Sequence, residues 1–131
     1  MNDYVCKIVE CSKELNVKEK IKVKDLTNAV SIDSAVTDDT PLLITPDFFV
    51  VLDVHNERSK DKDYKKYVIF DKAGNKYTTG SESFMTAFLG IYNEMLEAYG
   101  SPEDMEDFSI EVYRKPSKNY AGKSFLTCSI V

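Results

Sequence analysis

The residues best suited to chemistry in this 131-residue chain are cations spaced among aromatic rings. They gather near the chain end, where Arg114, Lys115, Lys118 and Lys123 surround Tyr113 and Tyr120, and no acid follows Tyr113. Cationic groups meet phosphates and flat rings stack on unpaired bases, so the combination suits an unpaired nucleic-acid strand. A second cluster, Arg58, Lys60, Lys62, Lys65 and Lys66, leads into Tyr67, and Lys76 adjoins Tyr77. Each tyrosine has a competing account in core packing, and each lysine in a solvated surface.

The net charge of −5, from 17 bases and 22 acids, taken alone argues against a polyanionic ligand. The charge is unevenly spread, however. Residues 55–80 carry seven bases and four acids, and residues 109–131 four bases and one acid. Residues 81–108 carry seven acids and no base, and residues 1–54 ten acids and six bases. A local basic face is therefore compatible with an acidic total.

Other chemistry is weakly signalled. No phosphate-binding glycine loop, dinucleotide fingerprint, His-Glu-x-x-His or Gly-x-Ser-x-Gly occurs. Asp53 and His55 lie two apart on an expected strand, hence on one face, but have no nucleophile beside them. Asp61, Asp63 and Asp71 interleave with lysines, which disfavours a divalent cation. Cys6, Cys11 and Cys128 form no Cys-x-x-Cys, and His55 is the only histidine, so reduced thiols are expected rather than zinc. The expectation is a binding protein, not an enzyme, without metal or cofactor.

At 43% hydrophobic and 30% charged residues, the composition is that of one soluble domain, 1–131. No apolar run approaches the ~20 residues that cross a bilayer. The opening Met1-Asn2-Asp3-Tyr4 has no basic stretch leading into an apolar core, so a cytoplasmic protein without membrane contact is expected.

Periodicity places the elements. Asp3–Glu14 reads as a short strand or helix. Val17–Lys24 alternates apolar residues with lysines, as in an edge strand guarded by charge, and Thr27–Ser34 allows another short strand. Leu42–Asn56 is the longest expected strand, with Pro46 restricting pairing near its start. Tyr64–Asp71 and Lys76–Gly80 follow, joined by a tight turn at Ala73-Gly74-Asn75. The period then changes: Phe84, Phe88, Ile91, Met95 and Tyr99 recur at helical spacing over 81–99. Ser81 is the expected N-cap, and Gly100 with Pro102 ends the helix. Phe108–Lys115 and Lys123–Val131 alternate again at period two.

From residue 42 the order is β-β-β-α-β-β. This is the order of the OB-fold, a five-stranded Greek-key barrel with a helix between its third and fourth strands. The fold expected is mainly β: an OB-like barrel over 42–131 with residues 1–40 as an N-terminal extension. In that fold strands two and three form the binding face, walled by the first and last hairpin loops. Both basic segments map to that surface, as Arg58, Lys60, Lys62, Lys65, Lys66, Tyr67, Lys76 and Tyr77 on one side and Tyr113, Arg114, Lys115, Lys118, Tyr120 and Lys123 on the other.

The stretches Val54–Tyr64, Tyr77–Phe84 and Lys115–Thr127 resemble those of small single-stranded DNA-binding proteins encoded by phages and mobile elements. The resemblance covers roughly residues 25–131. It implies binding of single-stranded DNA without strong sequence preference, in replication or recombination. Replication or recombination proteins and further copies of the chain are then candidate partners. Many such proteins end in a flexible acidic tail; this chain ends in the apolar run Leu126–Val131. The alternative is an acidic interaction module that inhibits a host protein through the 81–108 segment.

Overall fold

The computed structural model describes residues 3–131. Met1 and Asn2, the start of the expected N-terminal extension, lie outside the described residues.

The first quarter of the chain holds β1 (Tyr4–Cys11), α1 (Val17–Lys24), β2 (Val30–Ser31) and α2 (Ile32–Ala35). Strand β3 (Leu42–Ile44) then leads into β4 (Pro46–Asn56), β5 (Asp63–Asp71) and β6 (Lys76–Thr79). Helix α3 (Glu82–Tyr99) precedes the final hairpin, β7 (Ile110–Pro116) and β8 (Ser124–Ile130). The expected mainly β composition is present, in two sheets. One runs β1-β4-β5-β6-β2, the other β3-β7-β8.

Three expectations need correction. Val17–Lys24 is a helix, not a strand. Asn16 caps it: its side chain accepts from the Glu19 amide at 2.9 Å, and Glu19 accepts from the Asn16 amide at 3.1 Å. That reciprocal box outweighs the period-two pattern of valines and lysines. The run Leu42–Asn56 is not one strand. It breaks at Thr45, whose carbonyl accepts from the Lys72 amide while its hydroxyl meets Ser109 at 2.7 Å. Thr45 thus links both sheets, and Pro46 opens β4 with a bulge against β5.

The third correction concerns closure: the two sheets form no closed barrel. Strand β1 pairs antiparallel with β4 from Tyr4↔Asn56 to Cys11↔Val50. It therefore occupies the edge along which β7 would have to continue, and β7 pairs instead with β8 and with the three residues of β3. On the far side β6 takes β2 as a parallel neighbour. Strand β8 instead lies along α3, where the Ser83 hydroxyl donates to the Leu126 carbonyl at 2.7 Å.

Strands β4 and β5 are covered on both faces. Towards α3 lie Phe49, Val51, Tyr67 and Ile69, which pack with Phe84, Phe88, Ile110, Val112 and Leu126. The Phe49 ring meets Phe88 at 5.6 Å and Tyr92 at 5.1 Å, both edge-on, an arrangement aromatic quadrupoles favour. Towards α1 lie Val50, Leu52, Val54, Val68 and Phe70, packed with Val23 and Leu26. Helix α3 forms as expected, with Ser81 as N-cap and Gly100 as a left-handed C-cap at φ +85°. No helix among the described residues is long and apolar enough to cross a membrane.

Candidate nucleic-acid interface

The β4–β5 register places His55 opposite Asp63 and Asp53 opposite Lys65. Asp53 and His55, expected to share one face, do so but take different partners. Lys65 Nζ lies 2.9 Å from Asp53 Oδ1, and that carboxylate raises the lysine pKa. The His55 ring meets Asp63 through Nδ1 and Glu57 through Nε2, each at 2.7 Å. Hydrogen bonds to Asp63 and then Glu57 raise the His55 pKa, and the same contact lowers that of Glu57. Around the loop, Lys62 reaches Glu57 at 3.2 Å and Arg58 reaches Asp3 at 4.0 Å. Lys60 is exposed, with Asp61 next in the chain. Most of the positive charge of this bend is thus answered locally.

Strands β5 and β6, the expected binding face, are not open on the side that carries Lys66 and Lys76. Val23 of α1 is buried against it. Lys76 Nζ donates to the carbonyls of Lys22 at 3.1 Å and Asp25 at 2.7 Å, satisfying the end of α1. Lys66 is half-buried. Tyr67 points the other way, into the α3 core, and is only 8% exposed, so it packs rather than stacks on a ligand. Tyr77 is half-buried against the same core; burial raises its pKa, with the Asp71 carboxylate the next cause.

The β7–β8 hairpin differs. Its inner face, Ile110, Val112, Leu126 and Cys128, is buried in the α3 core, and burial pushes the Cys128 thiol up to about 12. Arg114 is held as well: Nε donates to the Val36 carbonyl and Nη2 to the Asp33 carbonyl, both at 2.8 Å. That guanidinium closes the end of α2 instead of facing solvent. The outer face carries Tyr113, Lys115, Phe125 and Thr127, in the cross-strand pairs Tyr113↔Thr127 and Lys115↔Phe125. Tyr113 and Phe125 are diagonal neighbours, within reach of one another across the strands. The Tyr113 hydroxyl meets Ser129 Oγ at 2.8 Å, which fixes the ring across the hairpin.

The connecting loop is ordered by its own backbone. The Ser117 amide donates to the Lys123 carbonyl at 2.9 Å, and the Lys123 amide to the Tyr120 carbonyl at 3.1 Å. Gly122 takes φ +77°, a conformation that disfavours side chains, and so permits this return. Tyr120 stands 68% exposed at the tip. Lys115, Lys118 and Lys123 are exposed and form no ion pair among the described residues.

The two basic bends stand at opposite ends of the β3–β4 run. The 57–62 loop follows Asn56, whereas β7 runs antiparallel to β3 and carries its tip beyond Leu42. Strand β4 alone spans on the order of 35 Å. Of the expected residues, the structure gathers Tyr113, Lys115, Lys118, Tyr120 and Lys123 at one hairpin. It also adds two to them: Phe125, 38% exposed on the same face, and Leu43 of β3, 61% exposed opposite Glu111. The alternation of 123–131 places Phe125 on one face with Thr127, Ser129 and Val131.

Set against known proteins, the chain matches no protein-family model, and neither a curated protein nor a solved structure matches it.

Proposed function

We propose that this protein binds single-stranded DNA, without strong sequence preference, along the outer face and tip of the β7–β8 hairpin. One observation carries the reading. Exposed Phe125 and Tyr120 and half-buried Tyr113 lie on one hairpin with Lys115, Lys118 and Lys123, which form no ion pair among the described residues. Each base stacked on such a ring is worth ~1–3 kcal/mol, and each lysine on a phosphate releases a counterion. The chain order supports an open relative of the OB barrel, in which β3 and β4 stand for a first strand shared between two sheets. In this relative the usual binding face is taken by α1, and the last hairpin serves in its place. Such binding would protect or organise strands exposed during replication or recombination.

The chain lacks tryptophan, so its emission is that of its eight tyrosines, Tyr113 and Tyr120 among them. Titration with oligo-dT is expected to quench that emission, and added salt to restore it. Phe125→Ala leaves the tyrosines in place and is expected to weaken binding about fivefold or more. Absence of salt-reversible quenching, or wild-type affinity in both Phe125→Ala and Tyr120→Ala, refutes the reading.

A second reading, a module that binds a host protein, rests on the seam between α3 and the end of β8. There Ala87, Gly90, Ile91 and Met95 with Ile130 form an apolar groove of about 420 Å³ beside Glu94. Retention of a basic host protein that Glu94→Lys abolishes, with no oligo-dT quenching, would favour it.

A further inference from the structure

Helix α1 sets two of its lysines beside strand β1. Lys20 and Lys24, one turn apart, line a groove of about 430 Å³ together with Lys13 of the loop after β1 and Lys7 of β1, which stands opposite Asp53 in the β1–β4 register. Ile8 and Leu15 form its apolar floor. Among the described residues, only Lys13 of the four is ion-paired, to Glu19 at 3.2 Å. Strand β1 is the outer strand of its sheet, so one row of its backbone groups has no strand partner beyond the groove floor.

We propose that this groove is a second binding site, for an extended acidic peptide that interleaves carboxylates with apolar side chains. The charge complementarity is direct: the lining holds four lysines, one of them paired to Glu19, and the aliphatic side chains of Ile8 and Leu15. The absence of rings separates a peptide from a nucleic acid. No aromatic ring lines the groove among the described residues, and nearby Phe48 is already stacked on Phe70 at 4.4 Å and roofed by Lys13 Nζ at 4.3 Å. Phosphates alone would leave the apolar floor unused. The chain's own acidic-apolar run, Glu103–Phe108, is not the occupant from a second copy, because Met105 and Phe108 pack against their own core. The occupant we propose is a peptide of a partner protein.

Fluorescence anisotropy of a labelled peptide of about ten residues, alternating Asp with Leu, tests the proposal on the full chain. A peptide alternating Lys with Leu serves as the control. The acidic peptide is expected to bind and the basic one not. Lys20→Ala/Lys24→Ala should weaken binding about tenfold, and Lys7→Ala/Lys13→Ala, which changes no residue of α1, should do the same. Lys118→Ala/Lys123→Ala should leave it unchanged, and oligo-dT should not displace the peptide. Three outcomes overturn the proposal. The acidic peptide fails to bind, or it responds to the hairpin variant rather than to either groove variant. The third is displacement by oligo-dT together with loss of strand binding in Lys20→Ala/Lys24→Ala, which makes the groove a phosphate track.

Discussion

The β4–β5 and β7–β8 hairpins each carry a cationic tip, and the charge is answered in one and open in the other. Cross-strand register is the cause. In β4–β5 the opposed pairs are Asp53↔Lys65 and His55↔Asp63, so acids face bases across the ladder. In β7–β8 they are Lys115↔Phe125, Tyr113↔Thr127 and Arg114↔Leu126, so no acid meets a base. Counting charge along a segment therefore says less than asking what stands opposite each residue. The first hairpin spends its lysines on itself, whereas the second presents them.

The largest expected effect is on the open hairpin. Lys115→Ala/Lys118→Ala/Lys123→Ala should lower oligo-dT affinity about tenfold or more at low salt. It should also reduce the slope of log affinity against log salt by about 2, at roughly 0.7 per lost phosphate contact on a single strand. An unchanged slope would remove the β7–β8 tip from the interface.

Next comes a cation that the hairpin does not present. Arg114→Met keeps the aliphatic stem but loses both bonds to the Asp33 and Val36 carbonyls. Urea unfolding should show a loss of about 1–3 kcal/mol, with strand affinity of the folded protein retained. Loss of affinity without loss of stability would return Arg114 to the binding surface.

The answered hairpin should respond to pH. The folded His55 pKa lies above its ordinary value near 6.5, so the contribution of the imidazolium contacts is fully present below about pH 6.5. It is lost as pH rises through the raised folded value. Glu57 is shifted down, so its share fades only when pH falls through the carboxylate range. Thermal melts from pH 5 to 9 should fall on the alkaline side in the wild type and flatten in His55→Gln. An equal slope in both would show that the clasp contributes nothing.

The smallest effect is expected from Arg58→Ala/Lys62→Ala: less than about 1 kcal/mol in stability and less than about twofold in strand affinity. Binding lost as severely as in the triple lysine variant would erase the difference between the two hairpins.

Much of the architecture was legible because its patterns are long. Strands β4 to β8 and helix α3 follow from sustained alternation, from the helical spacing of Phe84, Phe88 and Ile91, and from the Ser81 and Gly100 caps. Helix α1 was misread because Val17, Ile21 and Val23 alternate with lysines at period two over only eight residues. The deciding signal was the Asn16…Glu19 box. Barrel closure could not be foreseen, since it depends on which strand claims the edge of β4, a choice between β1 and β7 made by long-range packing. For the same reason the sequence could group Tyr67, Lys76 and Arg114 with the binding residues but could not show that a core and two helix ends already hold them. The basic hairpin tip itself was legible from Lys115, Lys118, Tyr120 and Lys123.

The double burial of β4 has a consequence for how the chain tolerates change in length. Neighbouring residues Val50 and Val51 serve separate cores on opposite sides of one sheet. An insertion or deletion of one residue within β4 would exchange the two sets. Asp53 and His55 would then be driven beneath α1, and Val54 turned out to water. Length variation should therefore be tolerated in the 57–62 and 117–123 loops and rejected between Phe48 and Val54.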